Sequence, residues 1–290
     1  MSDPIWYCCR QRAGPLVKEC RALRPRFSGD DPPEVSAEKT KAKRYVRTAV
    51  NRSSYDRLEL RLAEIGWSGT HYVLTFDDEH LPKKREGVKK ALAAFLRAVK
   101  RWRQKCGKPP DFDYIVVIEG LHGDHRYHVH FVCDYYELSP VEIRRLWKYG
   151  MVRDEEPVLL DKQGFRRLAV YFHKERRDGY VNPLGSHPWS CSRSLNAKIK
   201  DPRKWQSGSG VICPPKKAIC FSTPTGAAET FNNGWGAFSK LSWIVPDGSP
   251  ACRRAMIRMG YAKEVLLAEA DNQERLSNLS ELSAEDDAES

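Results

Sequence analysis

The stretch Tyr114-Ile-Val-Val-Ile-Glu-Gly120, followed after a short loop by Arg126-Tyr-His-Val-His-Phe-Val132, decides how this chain is read. Both runs are rich in β-branched and aromatic residues, and Gly120-Leu-His-Gly-Asp-His-Arg126 lies between them, so they read as two strands of a hairpin. Residues two apart on a strand point to the same face. His128 and His130 therefore project together, while Tyr127, Val129 and Phe131 turn toward a core. With the turn centred between Gly123 and Asp124, Glu119 falls opposite His128 and on the same side. Two imidazoles and one carboxylate converging in this way form the donor set of an open catalytic metal site. His122 and His125 in the loop are competing ligands that spacing leaves open. A His-x-His pair taken alone is as often structural as functional.

Outward from the hairpin, His71-Tyr-Val-Leu-Thr-Phe76 reads as a strand. Residues 86–105 read as an amphipathic helix, with Val88, Leu92, Phe95, Leu96 and Val99 at helical spacing. Ser139 caps a short helix through about Trp147, and an extended segment follows near 151–160. Gly164–Arg177 reads as a helix whose stripe Phe165, Leu168, Ala169 and Phe172 would dock on a sheet. Residues 1–34 look irregular, and 35–64 look helical and basic. The stretch 179–203 is basic and rich in Gly, Pro and Ser. Residues 205–250 show no clear period, and 253–282 read as helical. The expected organisation is a basic, partly helical extension over 1–66, a catalytic domain over 67–204, a C-terminal extension over 205–262 and an acidic tail over 263–290.

The helix over 164–177 holds a second chemical element. Tyr171 and Lys174 are three apart and so are helix neighbours, with Arg167 one turn earlier. Neighbouring positive charge favours the phenolate form of a tyrosine, and a phenolate is a nucleophile for phosphorus. By itself this is also what an ordinary surface tyrosine beside a lysine looks like.

Charge narrows the partners. The 290 residues carry a net +11, but residues 263–290 hold Lys263 and Arg275 against nine acids, a net of −7, which leaves the remainder at +18. A body that basic attracts polyanions, nucleic acid first among them. Eight Trp, twelve Tyr and ten Phe add stacking surfaces suited to single strands. No run approaches the ~18 apolar residues of a membrane span. The opening residues lack a basic segment followed by an apolar one, so a secretory leader is not expected and the chain is read as cytoplasmic. No GxxxxGK[ST] phosphate loop occurs. The nine cysteines are odd in number and irregularly spaced, which suits reduced thiols. A zinc cluster from Cys8, Cys9 and Cys20, or from Cys213 and Cys220, is a minor alternative without a CxxC pair to support it.

Taken together, a strand ending Leu-Thr-Phe76, the phrase Val117-Ile-Glu-Gly-Leu-His-Gly-Asp-His-Arg-Tyr-His-Val-His130, the Tyr171-x-x-Lys174 helix and the trailing Trp189-Ser-Cys-Ser-Arg193 resemble the HUH endonucleases. Within them the likeness is especially to rolling-circle replication initiators of bacterial plasmids and phages. The resemblance covers roughly residues 70–200, and the order of the short motifs carries it. It implies an α+β fold with a five-stranded antiparallel sheet and flanking helices. It also implies a Mg²⁺ or Mn²⁺ ion on His128, His130 and a third polar residue, which the hairpin register makes Glu119. Tyr171 becomes the nucleophile that nicks and rejoins single-stranded origin DNA through a 5′-phosphotyrosine, leaving a 3′-OH primer. Lys174 stands where a second tyrosine occurs in some members, and it takes an electrostatic role. Arg167, Arg176, Arg177 and Arg193 are the candidate DNA-binding cations, and Tyr180 is a poor second nucleophile. A host helicase and polymerase are the implied protein partners, in a bacterial cell carrying a plasmid or phage.

Other readings stay open at this stage. The same catalytic set serves HUH transposases and conjugative relaxases. A basic DNA-binding regulator with a structural His-x-His would bind DNA without cutting it. A hydrolase of small phosphate esters would leave the basic surplus unexplained.

Overall fold

The computed structural model describes residues 5–23, 54–120, 126–159, 163–173, 189–221, 229–233 and 236–261. The hairpin strands are β4 (Tyr114–Glu119) and β5 (His128–Asp134), paired antiparallel with Glu119 opposite His128 and Val117 opposite His130. On the far side of β5 lies β3 (Gly69–Thr75), which is flanked in turn by β6 (Val152–Pro157); β7 (Trp189–Cys191) pairs with β4. The result is a five-stranded antiparallel sheet in the order β6-β3-β5-β4-β7.

The alternation of these strands separates two cores. One face carries Tyr72, Leu74, Val116, Ile118, Val129, Phe131 and Cys133. It is covered by α2 (Arg85–Lys105), whose Val88, Leu92, Phe95 and Val99 are buried, and by Ile143 of α3 (Pro140–Leu146). The Phe95 and Phe131 rings meet edge to face at 5.4 Å, a contact worth about 1 kcal/mol beyond its buried area. Ser139 caps α3 as expected, its hydroxyl accepting the backbone N–H of Glu142 at 3.4 Å.

The opposite face carries Ile115, Val117 and Val132. Its cover comes from α1 (helical over 54–65), α4 (Arg166–Tyr171) and α6 (Pro250–Arg258), with α5 (Arg193–Lys198) contributing Leu195. The expected stripe of Phe165, Leu168, Ala169 and Phe172 is buried here. The described helix is shorter than the sequence suggests. It starts at Arg166, after a left-handed Gly164 (φ +61°), and residues 174–177 lie outside the described set.

Residues 1–34 are not irregular throughout. Trp6–Ala13 and Leu16–Leu23 form strands β1 and β2, joined by the two-residue turn Gly14-Pro15. Residues 205–250 likewise contain strands. β8 (Arg203–Ser207) pairs with β1, and β11 (Gly236–Ile244) pairs with β2, with β10 (Glu229–Asn233) and β9 (Ile219–Cys220) on β11. The two ends of the chain thus meet in one six-stranded sheet.

Charged residues inside β1 and β2 obscure their pattern in the sequence, and the structure shows how they are accommodated. Glu19 is buried, with Arg10 at 2.6 Å and Arg21 at 2.8 Å. Lys18 reaches Asp56 and Glu59 of α1, each at 2.5 Å. A buried charge is tolerated only with such partners. Among the described residues no helix is long and apolar enough to cross a membrane.

Candidate functional site

Glu119 is the last residue of β4 and His128 the first of β5, so the cluster sits where the hairpin opens. Gly120 makes that exit possible. Its φ is +99°, and a Cβ there would lie 2.8 Å from the Tyr127 Cα. Only glycine fits so close an approach of backbone to backbone.

Glu119 and His130 are buried and His128 is partly open. The Glu119 carboxylate spans both imidazoles: Oε2 is 3.1 Å from His128 Nε2, and Oε1 is 3.1 Å from His130 Nε2. One donor atom from each residue lies within 4.8 Å of the others, and among the described residues this is the one group of three or more His, Cys, Asp or Glu side chains so placed. A carboxylate oxygen and two imidazole nitrogens suit a divalent cation. The partly open His128 side leaves a route for a substrate oxygen or water.

The cysteines form no comparable group. Cys9 and Cys20 are cross-strand partners, yet all nine cysteines are free. Burial pushes the thiols of Cys8, Cys9, Cys20, Cys220 and Cys252 up, away from the thiolate that metal binding or nucleophilic attack requires.

Two residues overlooked in the sequence support the site. His71 on β3 is buried, and its Nε2 lies 2.8 Å from His130 Nδ1. The signal was present, since His71 opens a strand, but its value depends on β3 lying beside β5. His173 is the second. Its Nδ1–H donates to the Ala169 carbonyl at 2.7 Å, which leaves Nε2 to accept from the Ser54 hydroxyl at 3.0 Å. That bond ties the end of α4 to α1.

Helix α4 brings Tyr171 to the cluster. Phe172 lays its ring 5.2 Å from His71 and 5.3 Å from His130, closing the inner side. Adjacent residues on a helix differ by about 100°, so Tyr171 points elsewhere. Its ring meets His130 edge-on at 5.6 Å while 40% exposed. The helix is held at its other end by Arg166, 3.0 Å from Asp56 and 3.4 Å from Glu59. Arg167 is exposed on α4, and Arg193 is exposed at the start of α5. Lys174, Arg176, Arg177, Tyr180, His122 and His125 lie outside the described residues.

The comparisons with known proteins converge on the same segment. No curated protein and no solved structure gives a significant match. Residues 71–176 match the model of the replication-associated protein ORF2 family. That span runs from His71 to just beyond Tyr171, taking in Glu119, His128 and His130, and the segment that builds this cluster is therefore similar to a family of replication-associated proteins, consistent with a replication initiator.

Proposed function

We propose that the chain is a rolling-circle replication initiator of the HUH type, with residues 67–204 as its nicking unit. The observation that carries this reading is the edge-on contact of a half-exposed Tyr171 with His130 of the Glu119/His128/His130 group, inside the segment that matches replication-associated proteins.

A phosphodiester carries a negative charge that repels nucleophiles. A Mg²⁺ or Mn²⁺ ion held by Glu119, His128 and His130 would supply electrostatic stabilisation of the charge developing on the phosphoryl oxygens. Tyr171 is the nucleophile. Its oxygen forms a new bond to phosphorus as the bond to the 3′ oxygen breaks. The phenol proton passes to water, and the leaving oxygen takes up a proton to become a 3′-OH. One phosphodiester replaces another, so little bond energy is lost and rejoining uses the reverse path. The single-stranded origin DNA stays attached through its 5′ end, and the 3′-OH is a primer for a host polymerase. Lys174, three residues on, is assigned the electrostatic role beside the phosphate. Arg167, Arg176, Arg177 and Arg193 are assigned to the DNA backbone. The basic surplus of the chain body supports a polyanionic substrate.

The test is a pool of random single-stranded oligonucleotides labelled at both ends, incubated with protein and Mn²⁺ and then boiled in detergent. The expected product is a protein adduct bearing only the 3′-side label, lost with EDTA and in Tyr171→Phe. Tight binding without an adduct, even on a cloned candidate origin, overturns the nuclease reading in favour of a DNA-binding regulator.

A further inference from the structure

The end of the five-stranded sheet remote from Glu119 and His128 holds a second feature. Along β5, Asp134 stands six residues from His128 and opposite Gly69 of β3, a separation of roughly 20 Å at strand rise. An open cleft of about 490 Å³ lies there, bounded by Trp67, Gly69, Tyr135, Tyr136, Arg254 and Arg258.

Its chemistry is specific. Tyr135 and Tyr136 are 45% and 57% exposed, unusual for two adjacent aromatic residues, with their rings 5.5 Å apart. The Arg254 guanidinium lies over the Tyr136 ring at 5.8 Å and donates to its hydroxyl. Arg254 and Arg258 are four apart on α6, so their charges face one another. Burial first, and Arg254 second, push Arg258 below the ordinary arginine range. Among the described residues, neither arginine has a carboxylate in ion-pair range. Two adjacent cations without an anion, beside two open aromatic faces, are complementary to a phosphate carrying a flat base.

We propose that this cleft is a second DNA site, which stacks a base of single-stranded DNA on Tyr135 and Tyr136 and holds the adjoining phosphate between Arg254 and Arg258. It engages the strand several nucleotides away from the bond at the metal cluster. The assignment shares with the preceding reading the premise that the chain handles single-stranded DNA, but it does not require that the DNA be cut. An acidic peptide would satisfy the arginines but would leave the tyrosine faces unused.

The test uses the full chain in EDTA, so that binding is read apart from cleavage. Thymidine oligonucleotides carrying single 5-iodouracil substitutions are cross-linked to the protein by light and the joined peptides sequenced. The expected adduct is on the peptide containing Tyr135 and Tyr136. In fluorescence anisotropy, Tyr136→Ala and Arg254→Gln together with Arg258→Gln should each weaken a long oligonucleotide about tenfold, while the exposed Tyr7→Ala should leave affinity unchanged. Thymidine monophosphate at the same phosphate concentration should not displace the oligonucleotide; equal displacement would overturn the strand assignment in favour of a mononucleotide pocket. Unchanged affinity in both cleft variants, with cross-links elsewhere, would overturn the site. A Tyr136 cross-link in a protein that never forms a covalent adduct would sink the nicking reading alone.

Discussion

His71 Nε2 lies 2.8 Å from His130 Nδ1, both rings buried beneath Phe172. The contact constrains the proton on His130. For Nε2 to offer a lone pair to a cation, the ring proton must sit on Nδ1, and His71 must accept it. His71 is therefore a positioning residue for His130. His71→Ala should weaken Mn²⁺ binding, measured by titration calorimetry, about 10- to 100-fold. His71→Gln, whose amide oxygen can accept the same proton, should recover most of that loss. Equal loss in both variants would reduce His71 to a packing role.

Tyr171 is only half covered and its ring meets His130 edge-on. Tyr171→Phe keeps the ring and removes the oxygen. It should abolish covalent adduct formation while changing stability by no more than about 0.5 kcal/mol. A denaturant midpoint well below that of the parent would mean that the hydroxyl is structural, and the loss of adduct could then not be ascribed to chemistry.

Lys18 joins β2 to α1 through Asp56 and Glu59, and Arg166 brings α4 into the same network. Glu59 is almost fully buried. Removing Lys18 as Lys18→Met leaves that carboxylate under-compensated and should cost about 3 kcal/mol in urea unfolding. Adding Glu59→Leu should restore much of it, because the exposed cost is an unpaired buried charge. No recovery in the double variant would place the loss in packing.

The same network sets an acid limit. Burial pushes the Asp56 carboxyl up, but Lys18, Lys240 and Arg166 together outweigh it and hold the group below the usual carboxylate range. A depressed native value means that the stabilisation is complete above the unfolded value of about 3.9 and is lost as pH falls through the native one. Asp56→Asn should therefore be less stable near neutrality and show a shallower fall in stability below about pH 4. Parallel acid limbs in the two proteins would contradict this assignment.

Gly14 turns β1 into β2 at φ +49°, and a Cβ there would strike the Ala63 carbonyl of α1. Its own N–H donates to Glu64 at 2.7 Å. Gly14→Ala should destabilise by about 1–3 kcal/mol through backbone strain and the displaced helix contact. A change under about 0.5 kcal/mol in thermal or urea unfolding would show that the turn simply moves aside.

The parts legible in the sequence were those governed by geometry within a few residues. Period-two alternation placed His128 and His130 together and turned Phe131 inward. A symmetric hairpin put Glu119 against His128, and that is the register found. Helical spacing picked out the buried side of α2 and the stripe of α4. The first strands were missed although Gly14-Pro15 marks their turn, because Lys18, Glu19 and Arg21 look solvent-facing until their partners are known.

By itself, then, the sequence determined which side chains share a face, since that follows from backbone periodicity alone. The tertiary structure decided which faces meet. It set β3 beside β5 so that His71 reaches His130, laid α4 across that face so that Tyr171 reaches the cluster, and paired β2 with β11 from the far end of the chain. Those choices depend on burying apolar faces and pairing buried charges across long separations in the chain, a balance that no local pattern encodes.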